Sequence, residues 1–101
     1  MRLEVIRWNG NGTPSEEALR EQLQGEGYDV FRWRDESGTD YQRHSHDHDE
    51  VLWVVDGEMV FGAEGSEFYL RAGDRLILPK GMVHTARAGR AGVTYLIGER
   101  R

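Results

Sequence analysis

The chain has 101 residues, a formal net charge of −5, 31% charged residues and no cysteine. That length fits one domain, which buries only about 60–65% of its unfolded surface. The missing thiols exclude a disulfide framework, a thiolate metal site and a cysteine nucleophile. The acidic balance argues against a broad nucleic-acid face, which needs clustered Lys and Arg. No apolar run reaches the ~20 residues that a membrane-spanning helix needs.

The start, Met1-Arg2-Leu3-Glu4-Val5-Ile6-Arg7, is too short and too charged for a signal peptide, so a cytoplasmic location is expected. Residues 2–8 read as a short strand leading into the loop Asn9-Gly10-Asn11-Gly12. A helix follows. Thr13 fits the N-cap, Pro14 the first helical position, and Glu16 completes a T-x-x-E capping box. Leu19 and Leu23 share one face with Ala18 beside them, and Gly25 and Gly27 end the helix. Such a helix is expected to lie over a barrel as a lid, or to make a dimer contact.

From Tyr28 onward, short runs rich in β-branched and aromatic residues alternate with turn residues. Strands are predicted at 28–34, 41–46, 51–56, 58–63, 67–70, 75–78, 83–88 and 93–98. The breaks include Ser37-Gly38, Asp56-Gly57, Ala72-Gly73-Asp74, Lys80-Gly81 and Ala88-Gly89-Arg90. Asp56-Gly57 reads as a hairpin turn between two apolar runs. Strands recurring about every 8–12 residues indicate an all-β sandwich or barrel. The expected organisation is a single domain over 1–101, with an N-terminal strand and helix in 1–27 and the barrel in 28–98. The end, Glu99-Arg100-Arg101, is expected to be solvated.

Strand alternation sorts the side chains into faces. With Glu50 inward, Leu52 and Val54 are inward too, while Val51, Trp53 and Val55 make an apolar outer face. A patch of that kind is unusual on a bare surface, so a second sheet or a second subunit is expected to cover it. Inward neighbours of His84 are Ala86 and Ala88, small enough to leave room. Met59, Phe61, Phe68, Leu70, Ile77, Tyr95 and Ile97 are expected to wall the interior. Tyr41 and Gln42 are within reach of a substrate without an assigned role. Trp8, Trp33 and Trp53 are read as packing residues.

Four side chains stand out as candidate metal ligands: His44, His46, Glu50 and His84. In an extended strand His44 and His46 point to the same side and can bind one ion together. Glu50 follows at an even spacing, and His84 returns on a later strand. Three imidazoles and a carboxylate suit one divalent transition metal ion, whether manganese, iron, cobalt, nickel, copper or zinc.

These segments resemble the cupin family. Residues 38–57 fit the first cupin motif, G-x5-H-x-H-x3-E-x6-G, at every fixed position, and residues 73–84 fit the start of the second, G-x5-P-x-G-x2-H. Fifteen residues separate Gly57 from Gly73, the short spacing of compact bacterial cupins, and Ala88 stands where the second motif usually ends in Asn. The motifs cover roughly a third of the chain. The resemblance implies an antiparallel double-stranded β-helix, a jelly-roll barrel, over about four fifths of it. It implies His44, His46, Glu50 and His84 as ligands, and often a homodimer. In the family pattern the chain turns after the second His, which places His48, flanked by Asp47 and Asp49, in an exposed turn at the barrel mouth. Support of a ligand or proton transfer is the alternative role for His48; a ligand set with His48 replacing His44 breaks the spacing to Glu50 and is rejected.

The function expected is a small mononuclear metalloenzyme acting on a small organic molecule. Dioxygenase, isomerase and cyclase activities occur among cupins with this ligand set. The alternative is a metal-dependent small-molecule sensor without turnover. A sensor of this kind needs a separate partner, since the single helix forms no helix-turn-helix. A metal-free barrel is disfavoured by the intact ligands.

Overall fold

Two long bent strands organise the molecule, whose computed structural model describes residues 2–100. In chain order the elements are β1 (Glu4–Ile6), α1 (Glu16–Gly25), β2 (Asp29–Asp35), β3 (Asp40–His44), β4 (Asp49–Ala63), β5 (Ser66–Arg71), β6 (Arg75–Leu78) and β7 (His84–Arg100). β4 and β7 run antiparallel over their whole lengths, from Asp49 opposite Arg100 to Ala63 opposite His84. All other strands attach to this pair or, for β1, to β6. The first half of β4 carries β6 and then β1, and the second half of β7 carries β2. The second half of β4 carries β5, and the first half of β7 carries β3. Two sheets thus share two strands that cross from one to the other. This is an all-β, antiparallel jelly-roll barrel with one short helix.

The crossing point corrects two predicted breaks. Asp56-Gly57 is not a hairpin, and the chain does not leave the sheet at Ala88-Gly89-Arg90. Instead β4 continues through register shifts between Val54 and Asp56 and between Gly57 and Met59, while β7 bends alongside it. Gly57 is required there. Its φ is +82°, and a Cβ on it would sit 2.2 Å from the carbonyl oxygen of Gly92. A β-bulge bends a strand and raises its local twist, which takes β4 from one sheet into the other.

The barrel interior is filled by Leu52, Val54, Met59, Phe61, Ala63, Leu70, Leu76, Ala86, Ala88, Val93 and Tyr95 among others. The outer apolar face of Val51, Trp53 and Val55 packs with Leu19, Leu23, Tyr28 and Leu96. The chain's own helix therefore covers this face, and it gives no argument for a second subunit. Leu23 is fully buried, so Leu23→Ala is expected to cost about 2–5 kcal/mol. Ile77 belongs to this helix side and not to the cavity, because it pairs with Val51.

The helix starts two residues later than the sequence signals placed it. Ser15, not Thr13, is the N-cap, and its Oγ accepts a hydrogen bond from the backbone N–H of Ala18. Ser outranks Thr as a cap, and this start puts Glu16 and Glu17 in the first turn, where the helix dipole favours carboxylates. The C-terminal Glu99-Arg100 pair lies in β7. Arg100 donates to the carbonyl oxygen of Glu26 and stacks over Tyr28, so this end is not merely solvated; Arg101 lies outside the described residues.

Candidate metal centre

The two motif segments are held together before any side chain is considered. The Gly81 N–H donates to the carbonyl oxygen of His46 at 2.9 Å, and the Lys80 N–H donates to Asp49 at 3.0 Å. The turn after β6 is thereby pinned to the β3–β4 connection. β3 ends at His44, which pairs directly with His84 at the start of β7. His46 lies just beyond β3, on the connection rather than on a strand.

Three imidazoles meet at this junction. Ring centroids are 4.2 Å apart for His44 and His84, 5.0 Å for His44 and His46, and 5.1 Å for His46 and His84. One nitrogen from each lies within 4.8 Å of the others. Backbone carbonyls fix which nitrogens are available. His44 Nδ1 lies 2.6 Å from the oxygen of Gln42, and His84 Nδ1 lies 3.0 Å from that of Met82. A carbonyl can only accept, so each Nδ1 carries a proton, and in the neutral ring the lone pair is on Nε2. That is the tautomer a metal takes up, oriented as ligating imidazoles are oriented elsewhere. Burial lowers the pKa of His84, and His44 and His46 lower it further against the opposing Met82 carbonyl. His84 is neutral at neutral pH, and Phe61 stacks on its ring at 5.0 Å.

Glu50 enters from the first turnout of β4 and is buried. Its Oε2 lies 3.7 Å from His46 Nε2, while Oε1 lies 3.3 Å from His48 Nε2. Its close group is therefore His46 and His48, and it meets His44 and His84 only through His46. His48 is 8% exposed, so the reading of an exposed turn residue is corrected. The reason is the pairing of Glu50 with Glu99 across β4 and β7, which puts two carboxylates beside His48 Nε2, the second at 3.6 Å. Its Nδ1 is buried with no hydrogen-bond partner among the described residues, and the Asp47 carboxylate lies 3.5 Å from it. His48 acts here as a donor that holds one oxygen of Glu50.

A cavity of about 250 Å³ opens beside the histidines. Met59, Phe61, Tyr95 and Ile97 line it as predicted, whereas Leu70 lies in the core packing and Phe68 is only half-buried. Sequence reasoning missed the polar part of the wall. Asp35, 6% exposed, accepts from Tyr41 Oη at 2.7 Å, Tyr95 Oη at 2.7 Å and Trp33 Nε1 at 2.9 Å. Trp33 is half-exposed and takes part in this network instead of packing in the core. Burial and the Asp35 carboxylate push the Tyr95 and Tyr41 hydroxyls up, so both stay protonated. An Asp that precedes Glu36-Ser37-Gly38 reads as the start of a turn, which hid its role.

A cupin domain family model matches residues 31–96. Among solved structures, KdgF from a Halomonas species is 28% identical over 71% of this chain and 68% of its own, with a TM-score of 0.61. A cupin-2 domain protein from Shewanella frigidimarina is 27% identical over 73% of this chain and 71% of its own, with a TM-score of 0.64. The DMSP lyase DddQ from Ruegeria pomeroyi is 26% identical with a TM-score of 0.67; the match covers 71% of this chain but only 37% of the lyase. Among curated proteins none matches. With about two thirds of its length under that family model, the chain belongs to the cupin family.

Proposed function

We propose that this cupin binds one divalent transition metal ion through His44, His46, Glu50 and His84, and acts on a small organic molecule in the adjoining cavity. The observation that carries this reading is the convergence of three imidazoles, two of them with Nε2 lone pairs fixed by backbone carbonyls. Lone pairs crowded together in a half-buried site repel one another, and a cation relieves that cost. Glu50 supplies the negative charge, with Oε2 on the side of His46 and Oε1 held by His48. The ion, when bound, supplies a Lewis acid, a water of lowered pKa or an electron path to dioxygen. Phe61, Leu52 and Met59 keep that side of the cavity apolar, which excludes water and strengthens charge interactions within it. Ala86 leaves the space in which a substrate rests.

Oxygenase, isomerase and cyclase chemistry all suit such a site, and the likeness to a DMSP lyase adds elimination. A second reading is a metal-dependent binding or sensor module without turnover. It is supported by the cavity wall, where both tyrosine hydroxyl protons are engaged by Asp35, leaving Glu99 as the lining carboxylate outside the ligand set. A homodimer is supported by half-exposed Phe31 and Trp33 on β2, and sedimentation tests it. Elemental analysis of protein purified without chelator is expected to find about one ion per chain, lost in His44→Ala and His84→Ala. Equal, substoichiometric metal in all three would refute the site. Oxygen uptake and product analysis on metal-loaded protein then separate an enzyme from a sensor.

A further inference from the structure

The Asp35 network has more structure than a core staple requires. Its three partners are neutral donors, and all three, Trp33, Tyr41 and Tyr95, line the cavity. With both hydroxyl protons directed at Asp35, the phenolic oxygens have only lone pairs left to offer, and one on Tyr41 already accepts from Trp33 Nε1 at 3.2 Å. A hydrogen bond to a carboxylate makes each oxygen a stronger acceptor, since bonds in a chain polarise one another. The cavity lining holds no Lys or Arg, and its charged members apart from the histidines are Glu50 and Glu99. An anion is unwelcome at this wall, and a donor is matched. Tyr95 pairs with Val54, four residues along β4 from Glu50, or about 13 Å of strand at ~3.3 Å per residue.

We infer that Tyr41 and Tyr95, anchored on Asp35, form a subsite for a hydrogen-bond-donating group, a hydroxyl or an ammonium, on a small acid whose carboxylate end faces the histidine cluster. The second half of that statement rests on the metal reading above. A cavity of 250 Å³ holds on the order of eight non-hydrogen atoms at about 30 Å³ each. Three acids of that size differ only at the far end: 5-hydroxypentanoate, 5-aminopentanoate and hexanoate.

The experiment is calorimetric titration of these three acids into the full chain, metal-free and loaded with zinc, with elemental analysis of each sample. The hydroxyl and amino acids are expected to bind about fivefold to tenfold tighter than hexanoate, the worth of one added hydrogen bond. Tyr95→Phe should abolish the preference while leaving hexanoate binding and zinc content unchanged. Tyr41→Phe, at a half-buried position, provides the same test if Tyr95→Phe fails to fold. A preference for the hydroxyl acid alone, or for the amino acid alone, identifies which donor is read. Hexanoate binding as tightly as the others, a preference that survives both Phe variants, or no binding of any probe overturns the subsite. Absence of zinc overturns the metal reading instead, and the preference in metal-free protein then decides the subsite by itself.

Discussion

Two of the polar groups buried among the described residues obey opposite rules. At the β5–β6 turn, Asp74 accepts from the backbone N–H of Trp8 and Arg71, both at 2.9 Å, and from the Arg7 guanidinium at 3.0 Å. Both carboxylate oxygens there meet donors. At the β3–β7 junction the reverse holds, because His44 and His84 spend their Nδ1–H on backbone carbonyls and, as neutral rings, bring only Nε2 lone pairs to the cluster. The first arrangement stabilises the fold and leaves nothing over for a ligand. The second costs stability in the free protein, a cost that a bound cation would offset. Burial alone therefore does not mark a functional site; unmatched polarity does.

The largest expected effect separates the two groups directly. His84→Ala should weaken zinc binding by more than the 10- to 100-fold typical of losing a supporting contact, whereas Asp74→Asn should leave zinc affinity unchanged. Equilibrium dialysis reads both. Next, zinc at 100 times its dissociation constant should stabilise the wild type by about 2.7 kcal/mol, roughly a 10–20 °C rise in Tm, and His84→Ala should lose that rise. Calorimetric melting decides it, and an unchanged Tm on zinc addition would break the comparison.

Asp74→Asn should instead cost about 1–3 kcal/mol with or without zinc. That loss also has a pH signature. Burial pushes the Asp74 carboxyl up, but the Arg71 and Trp8 N–H groups and Arg7 outweigh it and leave the pKa below its ordinary 3.8. A depressed carboxyl stabilises the fold above its unfolded value and loses that contribution as pH falls through the folded one. The stability gap between wild type and Asp74→Asn should be flat above about pH 5 and shrink below about pH 4. Zinc affinity should change in a higher range, weakening as pH falls through the histidine pKa values, because protons compete for the same Nε2 lone pairs. The smallest effect concerns His48. Removing its hold on Glu50 Oε1 in His48→Phe should reduce zinc affinity about tenfold, and the metal-free protein should lose about 1 kcal/mol because a buried carboxylate oxygen loses its donor.

What the sequence disclosed and what it hid follow from the range of the interactions. The ligand candidates were legible because their spacing is local to two short segments and tied to glycines; Gly73 and Gly81 at turns and Gly57 at the bulge all have positive φ. Leu19 and Leu23 announced the buried helix face, though not that this face would cover Val51, Trp53 and Val55. Asp56-Gly57 misled because a hairpin and a bulge draw on the same residues, and only pairing with β7 distinguishes them. His48 was misplaced because its burial depends on Glu99, and Asp35 was missed because its partner Tyr95 is 60 residues away. Contacts of that range leave no periodic trace.

The measurement that tests the central claim most directly is X-ray absorption at the zinc edge of the loaded wild-type protein. Nitrogen and oxygen scatterers are expected at about 2.0–2.2 Å, with the outer-shell signature of three imidazoles, reduced to two in the weakly held zinc of His84→Ala saturated with excess metal. A spectrum with one imidazole or none, unchanged in that variant, would contradict the claim.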